Sequence, residues 1–278
     1  MKYRTKTAVV ILSYNSRDIT AQCIDGLLMN EAAELFVIDN GSTDGTVDMI
    51  RSRYPAIHII NLPCNLGFGG GNNIGMREAF NNGHDVVFLL NNDTIIDEPF
   101  IEPCLKAIND DTRIGIVGPV VVDADAPDRI QAAGGRINKY NLTFPYRHRG
   151  AVYKQACRLE NVDYVLGAAM AITASAYNVT GGFDTDYYPA YVEEADICYR
   201  TFRAGMRVCV TYESRVRHIG GFSAGVPGRA YSRLVCNRLR FGINHLRKRQ
   251  FAYAVLFFAG HLFWNSLIGK PRLHRKEV

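Results

Sequence analysis

Short apolar runs alternate with amphipathic stretches along the first part of the chain. Four runs of apolar residues, 8–12, 35–38, 57–60 and 86–90, have the length of buried β-strands. Between them, apolar residues recur three and four positions apart, which is the spacing of a helix with one buried face. Strands that alternate with helices in this way form βαβ units. The pattern therefore predicts an α/β fold with a mainly parallel sheet.

The helices of this pattern lie between the strands, and the alternation stops after residue 109. We expect the first helix to begin at about Asp18, the second to follow a cap at Thr43 or Asp44, and the third to cover 74–80. The later elements expected are one or two strands over 114–122, a loop or flap over 134–160, a turn at 181–184, a helix over 193–204 and a strand over 207–211.

Polar side chains follow the apolar run at 86–90 directly, as Asn91, Asn92 and Asp93. In open α/β sheets, ligands bind beyond the carboxyl ends of the parallel strands. A carboxylate at such a position suits a hard cation, magnesium or manganese, that bridges phosphate oxygens. A polar turn explains the same residues, because Asn and Asp favour turns. Taken alone, the run favours the turn.

A glycine-rich segment at 65–75 follows the third apolar run. Glycines let a backbone approach a ligand closely, and a helix N-terminus favours phosphate. The segment departs from the dinucleotide-binding fingerprint, because Asn72 stands where the pattern counted from Gly67 requires its last glycine. A phosphate-binding loop and a purely structural turn both fit the segment.

Three carboxylates, Glu193, Glu194 and Asp196, crowd the start of a predicted helix. Their negative charge suits the helix N-terminus, which explains part of the clustering. An aromatic-rich loop leads into the same helix, and this setting also suits a general base. His218 is ambiguous by itself, because a lone histidine is more often a structural residue than a ligand.

Together these motifs resemble the family-2 glycosyltransferases, especially the bacterial rhamnosyltransferases of surface-polysaccharide synthesis. The resemblance covers roughly residues 7–225 and keeps the order and spacing of the family motifs. It implies a GT-A type fold, in which a Rossmann-like half with a mixed, mainly parallel sheet flanked by helices merges with an acceptor-binding half. It also implies inversion at the sugar carbon by a single displacement. The matching segments are 13–15, 37–45, 65–69, 72–73, 181–184, 191–196 and 218–223.

The resemblance also implies roles for individual residues. Asp93 is similar to the family's metal ligand for Mg or Mn, and His218 to a second metal or diphosphate contact. Glu194 resembles the general base that deprotonates the acceptor hydroxyl, with Glu193 beside it. The donor-binding residues implied in the same way are Tyr14, Asp39, Asn65, Gly67, Asn72 and Asn91.

Two departures from the family pattern affect these roles. Glu194 stands where the family usually has Asp, which keeps the chemistry but lengthens the reach by one methylene. Asn92 stands where the family often has Pro or Asp, so Asp93 is the only carboxylate of this motif. We therefore expect weak metal binding that depends on the donor diphosphate.

Positive charge is a property of the C-terminal part of the chain. The net charge is +5, but residues 229–278 alone carry +10 and the first 228 residues carry −5. The stretch 251–269 is apolar and has basic clusters on both sides, which favours a helix lying on an anionic membrane surface. A dimer or core helix comes second and a true membrane span third. Nothing else in the chain supports nucleic-acid binding.

The sequence therefore predicts a catalytic domain over 1–228 and a helical, membrane-associating extension over 229–278. The expected reaction moves a sugar from a nucleotide-diphosphate donor, with dTDP-rhamnose favoured, to a lipid-linked or polysaccharide acceptor. Seven scattered cysteines without a C-x-x-C pair and the lack of a signal peptide predict a cytoplasmic protein, and the basic, apolar tail predicts peripheral association with the inner face of the plasma membrane. The alternatives are a sugar nucleotidyltransferase and a catalytically silent sugar-binding scaffold.

Overall fold

The strands and helices follow from a computed structural model, which describes residues 5–220 and 227–267. The strands are β1 Thr7–Ser13, β2 Glu34–Asp39, β3 His58–Asn61, β4 Val86–Asn91, β5 Thr94–Ile95, β6 Ile114–Asp123, β7 Ile130–Ala132, β8 Leu159–Asn161, β9 Ala169–Thr173 and β10 Arg207–His218. The helices are α1 Arg17–Asn30, α2 Thr46–Arg53, α3 Gly67–Asn81, α4 Ile101–Asp110, α5 Ala174–Thr180, α6 Glu193–Arg203, α7 Pro227–His245 and α8 Lys248–Leu267, with a 3-10 turn at Thr185–Tyr187.

The strands form one mixed sheet in the order β3-β2-β1-β4-β9-β6-β10-β5. The first four positions are parallel to one another, as the alternating pattern predicted. Strand β9 then runs antiparallel between β4 and β6, and β10 lies parallel to β6. Strands β7 and β8 add to β6 and β10. The parallel strands therefore end at one edge, where a nucleotide is expected to bind.

Helices cover both faces of this sheet, so the parallel strands are buried on both sides. Val9 of β1 belongs to the same buried cluster as Leu27 of α1, whereas its neighbour Val10 packs in the cluster of Met76 in α3. This alternation explains why the strands read as continuous apolar runs rather than as alternating ones.

The predicted start of the third helix was wrong. Helix α3 begins at Gly67, so most of the glycine-rich segment is helical and not a loop. A methyl group on Gly71 would collide with Leu12 Cδ1, and one on Gly75 with Val10 Cγ1. The glycines therefore bring the helix backbone against β1, which a helix-propensity argument does not reveal.

Two smaller boundaries also differ from the prediction. The residue before α2 is Gly45, in the left-handed region at φ +82°, and not Thr43 or Asp44. Asp44 still satisfies the helix start, because its Oδ1 accepts from the Thr46 amide at 3.1 Å. The strand predicted at 207–211 continues through a register shift to His218.

The C-terminal helices pack onto the rest of the fold through α7. Phe241 is fully buried, with its ring 5.1 Å from Phe144 and 5.4 Å from Tyr199. Within residues 5–220 and 227–267, no helix is both long enough and apolar enough to cross a bilayer. The basic cluster after residue 269, and positions 221 and 223 of the histidine motif, lie outside the described residues.

Candidate active site

Strand pairing brings His218 to Asp93, although 124 residues separate them in the chain. His218 of β10 is the register partner of Thr94 in β5, and the Ile219 amide donates to the Asp93 carbonyl at 3.0 Å. The His218 Nε2 atom lies 3.1 Å from Asp93 Oδ1. The two residues implied as metal contacts therefore share one buried corner at the edge of the sheet.

Gln131 of β7 sets the orientation of this histidine. Its Oε1 lies 2.7 Å from His218 Nδ1, so Nδ1 carries the proton and donates. In the neutral ring, the Nε2 lone pair then faces the Asp93 carboxylate, and Asp93 Oδ1 is buried without a well-aligned donor. Two hydrogen-bond acceptors that face each other, here His218 Nε2 and Asp93 Oδ1, require a proton or a metal cation between them. This pair therefore fits a divalent metal.

The neighbouring asparagines differ in what they contact. Asn91 Nδ2 lies 3.5 Å from His218 Nε2, within the same corner. Asn92 Nδ2 instead donates to Thr20 Oγ1 at 2.9 Å and is directed towards α1. Across the described residues, no group of three or more His, Cys, Asp or Glu side chains converges on one point. The pair would therefore leave most metal coordination positions to the donor diphosphate and water.

Asp39 lies at the end of β2 and offers an oxygen to a ligand. Its Oδ1 accepts from the Ser42 amide at 2.8 Å, which closes the loop after the strand. Its Oδ2 is buried and has no hydrogen-bond partner among the described residues. Tyr14, at the end of the adjacent strand, is 46% exposed. An orphaned carboxylate oxygen beside an exposed ring suits a nucleoside, which carries donor groups and an aromatic base.

Asn65, Gly67 and Asn72 are engaged with the protein itself. Asn65 Oδ1 accepts from Asn40 Nδ2 at 3.0 Å and from the Gly67 amide at 2.8 Å. Gly67 has φ +75°, and a Cβ there would lie 2.8 Å from the carbonyl oxygen of Pro189. Asn72 donates to the Phe68 carbonyl, but its Oδ1 is buried without a partner. Their donor contacts stay a prediction, and their visible role is to hold two loops together.

The carboxylates at the start of α6 are in two different electrostatic states. Burial raises the pKa of Glu194 to about 7. Burial and the neighbouring Glu194 charge raise the pKa of Glu193 well above its usual range, and Glu193 Oε2 has no partner among the described residues. Glu194 is also the less buried of the two, since Glu193 is only 4% exposed, and a pKa near neutrality suits a general base.

Asp196 is not available as a base. Its carboxylate accepts from Arg200 Nε at 2.7 Å, His245 Nε2 at 2.6 Å and the Tyr187 hydroxyl at 3.2 Å. Burial alone would raise the pKa of Asp196, but the His245 and Arg200 contacts lower it. Asp196 therefore ties α7 to α6, and the three carboxylates separate into one structural group and one buried pair.

One short segment joins the metal corner to the base. The Asn91 amide donates to the Ala168 carbonyl at 3.0 Å. At the preceding residue, a Cβ built on Gly167 would lie 3.8 Å from the Cβ of Glu194. Asn91 and Glu194, about 100 positions apart in the chain, therefore both lie against residues 167–168.

The backbone before Glu193 adopts an unfavourable conformation. Tyr191 and Val192 have φ values of +85° and +77°, in the left-handed region that a β-branched residue such as Val rarely occupies. Asn237 of α7 is buried, and its Nδ2 lies 2.9 Å from the carbonyl oxygens of Tyr187 and Tyr191 and 3.0 Å from that of Ala190. Helix α7 therefore holds the loop that positions the base.

Two positioning residues were not singled out from the sequence, namely Gln131 behind His218 and Asn237 under the loop. Asn73 belongs to the matching segment 72–73 but was given no role; its side chain both donates to the Phe183 carbonyl and accepts from its amide at 2.8 Å. A signal existed for Asn237 alone, because it falls between Leu234 and Phe241 on an otherwise apolar stripe of helical spacing.

Strand-end acidic side chains, an imidazole beside one of them and a buried base at a helix start describe a group transferase with a nucleotide-binding edge. The chain belongs to glycosyl transferase family 2, whose family model matches residues 8–174, more than half of its length. It is therefore a glycosyltransferase, as the motifs predicted.

Relatives and a solved structure agree with this assignment. The chain is 27% identical over 220 residues to N-acetylglucosaminyl-diphospho-decaprenol L-rhamnosyltransferase of Mycobacterium tuberculosis, covering 72% of this chain and 70% of the relative. It is 21% identical over 220 residues to the dTDP-rhamnosyl transferase RfbF of Shigella flexneri, covering 79% and 71%. The structure of GalNAc-T7 with UDP, GalNAc and Mn2+ has a TM-score of 0.68 at 17% identity, covering 85% of this chain and 48% of that one. The fold is of the predicted GT-A type.

Proposed function

We propose that this chain is a metal-assisted, inverting glycosyltransferase that moves a deoxyhexose from dTDP-rhamnose to a hydroxyl of a lipid-linked or polysaccharide acceptor. The observation that carries the proposal is the meeting of the Asp93–His218 corner and Glu194 across residues 167–168. A leaving diphosphate and an attacking hydroxyl need such groups on the two sides of one sugar carbon.

Glu194 acts as the base in this reaction. Its carboxylate accepts the proton of the acceptor hydroxyl while the acceptor oxygen forms a bond to the sugar carbon. The bond from that carbon to the diphosphate oxygen breaks with its electron pair, and the nucleoside diphosphate leaves. General base assistance of this kind contributes about 10²–10⁴-fold.

The donor lies along the ends of the parallel strands. Asp39 Oδ2 accepts from the nucleoside, Tyr14 packs beside it, and Asn91 lies near the diphosphate. Asp93 and His218 would hold Mg or Mn, which when bound neutralises negative charge on the leaving diphosphate. The fit rests on the unpartnered Asp93 Oδ1 and on the imidazole lone pair that faces it. The rhamnose preference is supported by the names of the two relatives.

Helix α8 supports association with the cytoplasmic face of the plasma membrane. Tyr253, Leu256 and Phe257 are exposed on it, at 73%, 71% and 62%. The basic residues 247–249 come just before them. Aromatic and basic side chains on one helix favour an anionic lipid surface, where a lipid-linked acceptor is found.

A donor screen tests this function. Purified protein is incubated with UDP, dTDP and GDP sugars, Mn2+ or Mg2+, and a short-chain prenyl-diphosphate-linked N-acetylglucosamine, and the product is analysed by NMR. We expect transfer from dTDP-rhamnose, with inverted configuration at the sugar carbon and loss of rate in EDTA. Retained configuration, or transfer unaffected by EDTA, would overturn the mechanism. Release of pyrophosphate from a sugar phosphate and a nucleoside triphosphate would indicate the nucleotidyltransferase, and donor binding without turnover the scaffold.

A further inference from the structure

Arg238 of α7 is a half-buried cation that has no carboxylate beside it among the described residues. Its Nε is buried and has no hydrogen-bond partner, and no carboxylate within the described part of the chain lies within ion-pair distance of it. Other arginines do have such partners: Arg200 pairs with Asp196, and Arg240 of the same helix with Asp186. Burial lowers the pKa of Arg238, which reflects the cost of removing its charge from water. Such a cost is offset when an anionic ligand binds.

Arg238 lies on the side of the site that carries the base. Its neighbour Asn237 holds the loop before Glu193, and Phe241, one turn further along α7, packs on Phe144. Tyr164 contacts the Phe144 ring in turn, and its hydroxyl is close enough to feel the charges of both Glu194 and Arg238. Arg238 and Glu194 therefore both lie near Tyr164.

In an inverting displacement, the diphosphate of the donor and a phosphate of the acceptor lie on opposite sides of the reacting sugar carbon. The acceptor oxygen attacks the sugar carbon from the face opposite the leaving diphosphate. Charge on the donor diphosphate belongs at the Asp93–His218 corner, so a cation on the side of Glu194 faces the acceptor. Helix α7 packs against α8, where Gly242 lies close to the Phe251 ring. Helix α8 in turn exposes Tyr253, Leu256 and Phe257.

We propose that Arg238 binds a phosphate or diphosphate ester of the acceptor, the group that links the acceptor sugar to its lipid. This inference rests on the proposed function and names the acceptor class: a sugar joined to lipid through phosphate, rather than a neutral glycan end. The guanidinium makes charge-assisted hydrogen bonds to the phosphate oxygens. In this way the enzyme distinguishes a lipid-linked acceptor from a free glycan.

Two acceptors that differ in the phosphate test the proposal. One is a short-chain prenyl-diphosphate-linked N-acetylglucosamine, and the other is the same sugar as a neutral prenyl glycoside. For Arg238→Gln we expect KM for the diphosphate acceptor to rise about 10- to 100-fold, which is the loss of one charge-assisted contact. KM for the neutral glycoside and for the donor should change less than about twofold. Arg238→Lys should recover part of the loss, because it keeps the charge but not the planar fork.

Arg240→Gln is the matched control, since it removes an exposed, paired cation from the same helix and should leave both acceptors unaffected. Equal losses on both acceptors would assign Arg238 a purely structural role. A raised donor KM would assign it to the donor diphosphate, and no change would leave no phosphate site there. Each of these results overturns the proposal.

Direct binding separates this inference from the proposed function. Calorimetry with farnesyl diphosphate alone requires no turnover. Wild-type protein should bind it, and Arg238→Gln should bind about 10- to 100-fold more weakly, even if no sugar donor supports transfer. Equal affinity in the two proteins contradicts the site regardless of the reaction catalysed. Weakened binding only on vesicles of anionic lipid would assign Arg238 to a membrane headgroup instead.

Discussion

The donor edge and the acceptor side of this site are built by different means. At the donor edge, Asp39 and Asp93 follow directly from parallel strands, so the regular sheet carries them to their places. On the acceptor side, Glu194 is the second residue of α6, which follows two residues in the left-handed region, and α7 holds that loop through Asn237. The donor edge depends on regular strand geometry, whereas the acceptor side depends on tertiary contacts that offset an unfavourable backbone conformation.

This difference predicts how the two halves respond to change. A substitution at the donor edge should remove one chemical group and leave the sheet intact, because strand pairing does not depend on it. A substitution of a residue that holds the acceptor side, such as Asn237, should alter the position of Glu194 without changing Glu194 itself. The expected effects on rate separate the two cases.

The largest effect is expected at the metal corner. Asp93→Ala should reduce transfer by about 10³-fold or more, because the carboxylate that faces His218 Nε2 is lost. Asn92→Ala is a matched control, since the Asn92 amide contacts Thr20 and not the corner. Rates measured with dTDP-rhamnose, together with circular dichroism, check both variants. Full activity of Asp93→Ala would remove the metal assignment.

Loss of the base should be nearly as severe. Glu194→Gln keeps the shape of the side chain and should lower kcat by about 10²–10⁴-fold, with little change in donor KM. Glu193→Gln should cost less, because Glu193 is the more deeply buried member of the pair. Single-turnover rates decide between them. If Glu193→Gln proved the more damaging substitution, the base would be Glu193.

The rate should follow the ionisation of Glu194. Since burial raises its pKa to about 7, kcat should rise about tenfold per pH unit below pH 7 and level off above it. The effect on stability has the opposite sign. A carboxyl whose pKa in the folded protein lies above its ordinary value of 4.5 contributes stability at low pH that is lost as pH rises from about 4.5 to about 7. Glu194→Gln should therefore melt at a higher temperature than wild type at pH 8, and an unchanged melting temperature would argue against the raised pKa.

The regular half of the molecule was predictable from the sequence. Apolar runs of strand length, separated by helical spacing, were enough for the four parallel strands and for the polar residues at their ends. The roles of Glu194 and His218 came from the family resemblance. The position of α3 could not be predicted, because Gly71 and Gly75 lower helix propensity while allowing the close packing against β1 that stabilises the helix.

The residues that position the site could not be predicted from the sequence, for a similar reason. Gln131 and His218 lie on strands that are distant in sequence, and only their pairing with β6 places them together. Nothing local marks Tyr191 and Val192 for the left-handed region, since neither residue favours it. Contacts between distant elements decide these positions, and a single sequence carries no record of them.

The hydrogen bond behind His218 should control metal affinity. Gln131→Leu removes the acceptor that holds the Nδ1 proton, which frees the ring to adopt the other tautomer. We expect Mn2+ affinity, measured by electron paramagnetic resonance in the presence of dTDP, to fall about 10- to 100-fold. Gln131→Glu retains an acceptor and should recover affinity. Tight Mn2+ binding by the wild type without any nucleotide would contradict the expectation of donor-dependent metal binding.

The smallest effect on rate is expected where the acceptor side is held. Asn237→Ala removes the contacts to three loop carbonyls and should cost about 1–3 kcal/mol of unfolding free energy, because buried polar groups lose their partner. The base then loses its fixed position, so kcat should fall about tenfold while donor KM stays within about twofold. Asn244→Ala is the control on the same helix, because Asn244 contacts the Asp184 and Tyr187 side chains but none of the three loop carbonyls. If Asn237→Ala instead raised donor KM and left kcat unchanged, α7 would support the donor edge. The donor edge would then also depend on tertiary contacts, and the contrast with the acceptor side would be wrong.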